Sequence, residues 1–505
     1  MHQTDRTELK QSLRRRGICV VIPTYNNAGT VIDVVTRALE HCSDVFVVCD
    51  GCTDSTAGLL EAMPVRPRII SYPDNRGKGA ALKCGFKAAL EAGFAYAITL
   101  DADAQHYPED IPLFLEANRK WPGAIIVGER KGLENAERSK ASSFANSFSN
   151  FWFTIQTGLR LSDTQTGYRL YPLKKLRSMS LLTSRYEAEL ELLVFAAWRG
   201  VPIKGIEVNV YYPPKDERVS HFRPVRDFAR ISVLNTVLCV LALVYGLPRF
   251  ILRCILAGAR SVFAFVYFAF FTAFVITPAV FLYLTIGGKS ARKKKRVHDM
   301  ICTSARITLH KIKVPGMRYS QANPFAEDFS RPCVIICNHQ SHIDLLPLLA
   351  LTPKLVVLTA DWVWSNPFYG FVIRNADYLP ASRGMDAILP QLRELVAHGY
   401  SVAVYPEGTR SLDCSIGRFH QGAFLLAREL GIDILPIILY GAGRMLPKHG
   451  RYLRSSPVRL EIDRRISPAE LASGCPTLKE QASKMRRYYQ ERYSEIADRL
   501  EQEER

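Results

Sequence analysis

Ala97-Ile98-Thr99-Leu100-Asp101-Ala102-Asp103 is a short apolar run that ends on two carboxylates two residues apart. Where such a run is a strand whose geometry persists past Leu100, Asp101 and Asp103 face the same way and converge on one hard cation. Similar runs stand at 18–22, 45–49, 68–70 and 124–127, and between several lie Ala- and Leu-bearing stretches with helical spacing, such as Gly79 to Ala92. That alternation predicts a mostly parallel sheet covered by helices, an α/β unit. Ligands of such sheets sit beyond the carboxyl ends of the strands, and the polar motifs of this region fall there.

A second alternation begins at about residue 300. Strands are expected at 333–337, 355–358, 401–405 and 434–440, with helices between them. Asn338-His339-Gln340-Ser341-His342-Ile343-Asp344 follows the first of these. A His-x4-Asp pair across a strand-to-helix turn sets the carboxylate on the imidazole and orients it to take a proton from an attacking hydroxyl. Residues 476–505 show a charged helical pattern, read as a solvated packing helix.

Between the two alternations lie apolar runs at 231–247 and 261–286, neither with a charged residue. At 1.5 Å per residue the first is marginal for a membrane span and the second ample. Lys289 and Arg292–Arg296 follow at once, a cytosolic flank by the positive-inside rule. Cytosolic donors for both parts require an even number of crossings, which a hairpin supplies. A re-entrant or in-plane arrangement, bent at Pro278, instead keeps Arg249, Arg253 and Arg260 off the far side. The expected domains are 1–230, a membrane-associated segment 231–299, a second α/β domain 300–475 and a terminal helix 476–505.

The chain has 505 residues, 48% hydrophobic, with a formal net charge of +18. No nucleic-acid recognition motif accompanies the charge, so an anionic membrane surface is the expected partner and nucleic acid is not. The twelve cysteines form no paired metal knuckles. Cys49 and Cys52 have redox spacing but lie inside another motif, and reduced thiols are expected. No secretory signal is read at the start.

Ile22-Pro23-Thr24-Tyr25-Asn26-Asn27, Val48-Cys49-Asp50-Gly51-Cys52-Thr53-Asp54, Asn75-Arg76-Gly77-Lys78-Gly79 and the Asp101/Asp103 segment occur in this order. Together they closely resemble the family 2 inverting glycosyltransferases, especially the polyprenyl-phosphate sugar transferases, over about 18–230. The resemblance implies a GT-A-type nucleotide-binding sheet. It implies that Asp50 contacts the nucleoside, with Pro23, Asp54 and Lys78 also on the donor side. Asp101, Asp103 and Gln105 would serve a divalent cation (Mg or Mn) and the diphosphate. Arg130, in Gly128-Glu129-Arg130, takes the place of an acceptor-facing arginine, and Asp163 to Arg169 resembles the acceptor-side motif. Glu187 or Glu189 would be a base for a hydroxyl acceptor, whereas a phosphate acceptor needs cations such as Arg130, Arg218 and Arg223. The aromatic stretch Phe148 to Leu159 is either a core helix or a membrane-facing acceptor entry.

Asn338-His339-x4-Asp344, Ser382-Arg383, Tyr405-Pro406-Glu407-Gly408-Thr409-Arg410-Ser411 and Leu435-Pro436 resemble the glycerolipid acyltransferases in order and spacing, over about 300–465. This implies His339 as general base and Asp344 as its orienting partner. Glu407, Gly408, Thr409 and Arg410 would shape the acceptor site, with Arg383 as a further anion contact and no cofactor. One departure stands out. Family members often carry a Phe-Lys-Lys-Gly-like segment after the Glu-Gly-Thr-Arg block, and here it reads Phe419-His420-Gln421-Gly422, which admits a glycolipid hydroxyl as acceptor. His342, His420 and His449 receive no role.

The combined expectation is a bifunctional enzyme of the inner (cytoplasmic) membrane with both catalytic domains on the cytosolic face. Its partners would be a nucleotide-sugar, acyl-ACP or acyl-CoA, and a membrane lipid acceptor. The alternative makes only one domain catalytic and the other a lipid-binding or scaffolding module.

Overall fold

The computed structural model describes residues 3–130, 140–211, 224–286, 291–367 and 369–503. The chain divides at Arg253 and Cys254 into two compact units, each built on its own seven-stranded sheet.

The first sheet contains β1 (Ile18–Thr24), β2 (Val45–Asp50), β3 (Arg68–Tyr72), β4 (Tyr96–Thr99), β5 (Ile125–Arg130), β6 (Arg169–Pro172) and β7 (Ile203–Val208). Its order is β3-β2-β1-β4-β6-β5-β7, parallel except at β6, which runs against both its neighbours. The unbroken apolar runs of β1 and β2 follow from burial on both faces. Val20 and Ile22 point into one core with Val34, Val47 and Ile98; Cys19 and Val21 point into the other with Val48, Leu82 and Leu193. Five strands fall where the sequence places them. The two unpredicted ones are β6, four residues long and opened by an arginine, and β7, an edge strand with exposed alternate positions.

The second sheet contains β8 (Met317–Ala322), β9 (Val334–Cys337), β10 (Leu355–Thr359), β11 (Leu379–Pro380), β12 (Ser401–Val404), β13 (Ile434–Tyr440) and β14 (Ser456–Ile462). Its order is β11-β10-β12-β9-β13-β14-β8. β9 and β12 are parallel neighbours with Ile336 opposite Val404. Their carboxyl ends therefore bring Asn338–Asp344 beside Tyr405–Ser411, although some sixty residues separate the motifs in the chain. The terminal helix Leu478–Glu503 is more than a solvated cover. Met485, Tyr489 and Ile496 are buried, and the Tyr489 hydroxyl donates to Ile336 O at 2.7 Å and accepts from Ile437 N at 3.1 Å.

The apolar segment is continuous. Among the described residues it is one helical run, Ala229–Thr285, the one stretch long and apolar enough to cross a membrane by length and composition. Residues 248–260 lie inside the helix Leu247–Phe270. Pro248 and Pro278 do not break the run because each follows a π-helical turn, Ala242–Gly246 and Phe271–Ile276. A wider turn relieves the clash between a proline ring and the carbonyl four residues back.

Candidate active sites

Asp101 lies immediately beyond β4. Its carboxylate pairs with Lys78 Nζ at 2.7 Å, and the same ammonium reaches Glu189 at 2.8 Å. Lys78 opens the helix Lys78–Glu91 and Glu189 stands in the first turn of the helix Glu187–Trp198, so three remote segments close on one point. Gly167 packs against that point, where a methyl group would stand 2.4 Å from an Asp101 oxygen and 2.7 Å from Lys78 Nζ. Burial works against the Lys78 charge, but Asp101 and Glu189 outweigh it and hold the amine protonated. Asp103 accepts from Gln105 N at 3.1 Å across a turn in which Ala104 takes a φ of 59°. Burial, and then the charge of Asp101, push the Asp103 carboxyl up to about 6. His106 is buried against Tyr168, and burial pushes it down to about 4, a neutral imidazole.

On the donor side, Asp50 is buried and both its oxygens accept backbone amides, Arg76 N and Gly77 N, each at 2.8 Å. It therefore braces the loop that presents Lys78. Asp54 is exposed and accepts from Ala28 N and Thr56 N, while Pro23 is buried within β1. On the acceptor side, Arg130 grips Asp163 through two guanidinium nitrogens, the Nη2 contact at 2.9 Å. Arg169 is fully buried and spends its guanidinium on Thr164 O, Glu189 O and the Tyr171 hydroxyl, which makes it a positioning residue. Glu187 is buried with no partner among the described residues, unlike Glu189. The helix Lys140–Thr157 combines both readings of its aromatic stretch: Phe153 is buried, and Phe151 and Ile155 are exposed. Arg218 and Arg223 lie outside the described residues.

In the second unit, His339 Nδ1 stands 3.0 Å from Asp344 Oδ2. The same oxygen accepts Gln340 N at 2.6 Å and Ser341 N at 2.8 Å, and Asp344 is fully buried. With Nδ1 donating to Asp344, Nε2 carries the lone pair. The Tyr405 ring stacks on the imidazole at 4.2 Å. Glu407 accepts His339 N at 2.8 Å and Gly417 N at 2.7 Å, and burial raises its carboxyl above the usual range. Ser411 N donates to His339 O at 2.8 Å, and Asn338 bonds both ways with Leu439 in β13. The two sequence motifs are thus stitched together through main-chain groups.

Arg410 has no partner among the described residues, and its charge acts on His342, as do His339 and Asp344. Burial is the first cause of the lowered His342 value and Arg410 the second. Gly408 and Thr409 are exposed, and Thr409 Oγ1 accepts from Lys448 at 3.0 Å. Arg383 is exposed and lies over the Trp364 ring at 4.9 Å, while the Trp362 ring meets His342 edge-on at 5.6 Å. Sequence reasoning missed Asn338, Tyr405 and Gly417. The first two lie inside quoted motifs, but a stacking ring and a bridging amide leave no spacing signal.

Residues 19–176 match the glycosyl transferase family 2, and residues 311–440 match the acyltransferase family. The undecaprenyl-phosphate mannosyltransferase of Micrococcus luteus is 30% identical over 174 residues, covering 32% of this chain and 70% of that protein. The polyprenol monophosphomannose synthase of Mycolicibacterium smegmatis is 30% identical over 222 residues, 40% of this chain and 79% of its own length. The chloroplastic 1-acyl-sn-glycerol-3-phosphate acyltransferase of Brassica napus is 36% identical over 121 residues, 23% of this chain and 35% of that protein. The chain spans about a third to a half of the length of the acyltransferase relatives it matches. The chain belongs to glycosyl transferase family 2 through its amino-terminal domain, and its carboxy-terminal residues 311–440 match the acyltransferase family.

Proposed function

We propose a bifunctional membrane enzyme that transfers a sugar from a nucleotide-sugar to a lipid-linked acceptor, with inversion, and an acyl group from acyl-ACP or acyl-CoA to a lipid or glycolipid hydroxyl. The observation that carries the acyl half is the 3.0 Å contact of His339 and Asp344, with Asp344 also held by two backbone amides. Nε2 of His339 accepts the proton of an acceptor hydroxyl as its oxygen forms the new ester bond to the thioester carbonyl carbon. The carbon–sulfur bond breaks, and the departing thiolate takes the proton back from the imidazolium. Asp344 stabilises that cation.

For sugar transfer, the acceptor oxygen bonds to the anomeric carbon as the nucleoside diphosphate leaves. The donor set at Asp101, Asp103 and Gln105 fits a hard divalent cation. Two half-buried carboxylates two residues apart disfavour joint ionisation, and positive charge relieves that. No group of three or more ligating side chains exists among the described residues, so diphosphate oxygens would complete the shell, the usual pattern for Mg. Such an ion stabilises the leaving diphosphate when bound. Lys78 adds a fixed charge beside Asp101, and Asp50 holds the loop that carries it. Glu189 is committed to Lys78, which leaves Glu187 as the base for a hydroxyl acceptor.

The membrane role rests on the Ala229–Thr285 helix. At 1.5 Å per residue its 57 residues extend about 86 Å, nearly three times the hydrocarbon core. Arg249, Arg253 and Arg260 fall within roughly 40° on the helical wheel, while Val244, Ile251, Ile255, Val262 and Phe265 are exposed. Those features support an in-plane helix on the inner face of the cytoplasmic membrane, apolar side down. A shared surface raises the local concentration of one site's product at the other. Mass spectrometry of lipids from cells with and without the protein tests the reading. A species heavier by a hexose plus an acyl chain is expected, and sugar-lipid that is never acylated contradicts sequential action.

A further inference from the structure

Lys479, Ser483 and Arg486 recur at intervals of four and three along the helix Leu478–Glu503 and so share one face. Together with the segment Arg418–Gln421 they enclose a cavity of about 640 Å³. That segment follows directly on Gly417, the residue whose amide Glu407 holds. Its Phe419 ring is turned inward against Tyr489, 5.1 Å away, which fixes the wall to the helix. The His420 ring lies about 3.4 Å from where a methyl group on Gly408 would stand, so the cavity borders the Glu407–Arg410 block.

The charge here has no internal explanation. Arg418, Lys479 and Arg486 line the cavity, all exposed, and none has a counter-ion among the described residues. Glu480, the nearest acid in sequence, is occupied by the amide and hydroxyl of Thr477. Three cations gathered in one concavity gain nothing for folding, since like charges repel, but they act together on an entering polyanion. The volume lies in the range of small-molecule sites and exceeds what one inorganic phosphate fills. Ser483 and Gln421 supply neutral hydrogen-bond donors alongside the charges. Lys479 and Arg486 of the terminal helix thus stand across the cavity from Phe419-His420-Gln421.

We propose that Arg418, Lys479 and Arg486, with Ser483 and His420 beside them, bind a phosphate-bearing ligand at a site separate from the His339–Asp344 pair. Phosphate esters of that kind come from two sources, the phosphorylated end of a soluble acyl donor and the headgroup of a phospholipid. The proposal does not depend on acyl transfer, because no step of that reaction uses these residues.

The test is isothermal titration of the full chain in detergent with two soluble probes, adenosine bisphosphate and dihexanoyl phosphatidic acid. The double variant Lys479→Glu with Arg486→Glu is compared with Lys484→Glu with Arg487→Glu, which makes the same charge change on the same helix outside the cavity. Thermal melting verifies that both remain folded. Affinity for at least one probe is expected to fall about tenfold or more in the cavity variant alone. His339→Ala is expected to bind as the unchanged protein does. Loss for adenosine bisphosphate assigns the site to a soluble donor, and loss for phosphatidic acid alone assigns it to a headgroup; either supports the proposal. Binding of neither probe by the unchanged protein, equal loss in both variants, or loss in His339→Ala overturns it.

Discussion

The two active sites are held together by different means. At the first, the framework is a set of ion pairs among side chains remote in sequence: Lys78 with Asp101 and Glu189, Arg130 with Asp163. At the second, two carboxylates are fixed by main-chain amides, Asp344 by Gln340 and Ser341, and Glu407 by His339 and Gly417. The first is an unsettled electrostatic balance, with Asp103 pushed up to about 6 by burial and by Asp101. It is built to receive added charge. At the second, the proposed base His339 and its partner Asp344 already stand in hydrogen-bonding geometry.

That contrast is exposed most sharply by removing divalent cations. Chelation is expected to bring sugar transfer to background while acyl transfer continues unchanged, both followed by radiolabelled donors on one preparation. Persistent sugar transfer would break the distinction. Asp344→Asn comes next. The amide offers Nδ1 a poorer acceptor and cannot stabilise the imidazolium, so the kcat of acyl transfer should fall about 10²–10⁴-fold with sugar transfer intact. Gly167→Ala probes the ion-paired site from the packing side. The added methyl must displace Asp101 or Lys78, and sugar transfer should fall by about tenfold to a hundredfold. The smallest effect is expected for Tyr489→Phe, which removes the hydroxyl bridging β9 and β13. Unfolding of the second unit should ease by about 1 kcal/mol, read by denaturant titration, with sugar transfer unaffected.

Much of both sites was legible because each motif ends a strongly apolar strand. The central strands β1, β2, β4, β9, β12 and β13 announce themselves by burial on both faces. The edge strands β7 and β8 do not, since several of their positions are exposed, and β6 and β11 are too short to carry a period. The motif residues meet, but their division of labour was not readable. That Glu189 rather than Glu187 holds Lys78, and that Arg169 faces inward, depends on helix phase and on an antiparallel strand set among parallel ones. Pro278, read as a possible bend, follows a π-turn that accommodates it, as does Pro248. That Lys479 and Arg486 line one cavity with Arg418–Gln421 could not be read from sequence, because some sixty residues separate the two segments.

The central claim is that one polypeptide carries two complete and separate transfer sites. Asp103→Ala and His339→Ala, each purified as the full chain and supplied with nucleotide-sugar, acyl thioester and lipid acceptors, test it directly. The account predicts that Asp103→Ala loses sugar transfer and keeps acyl transfer, and that His339→Ala does the reverse. A variant that loses both activities, or neither, contradicts it.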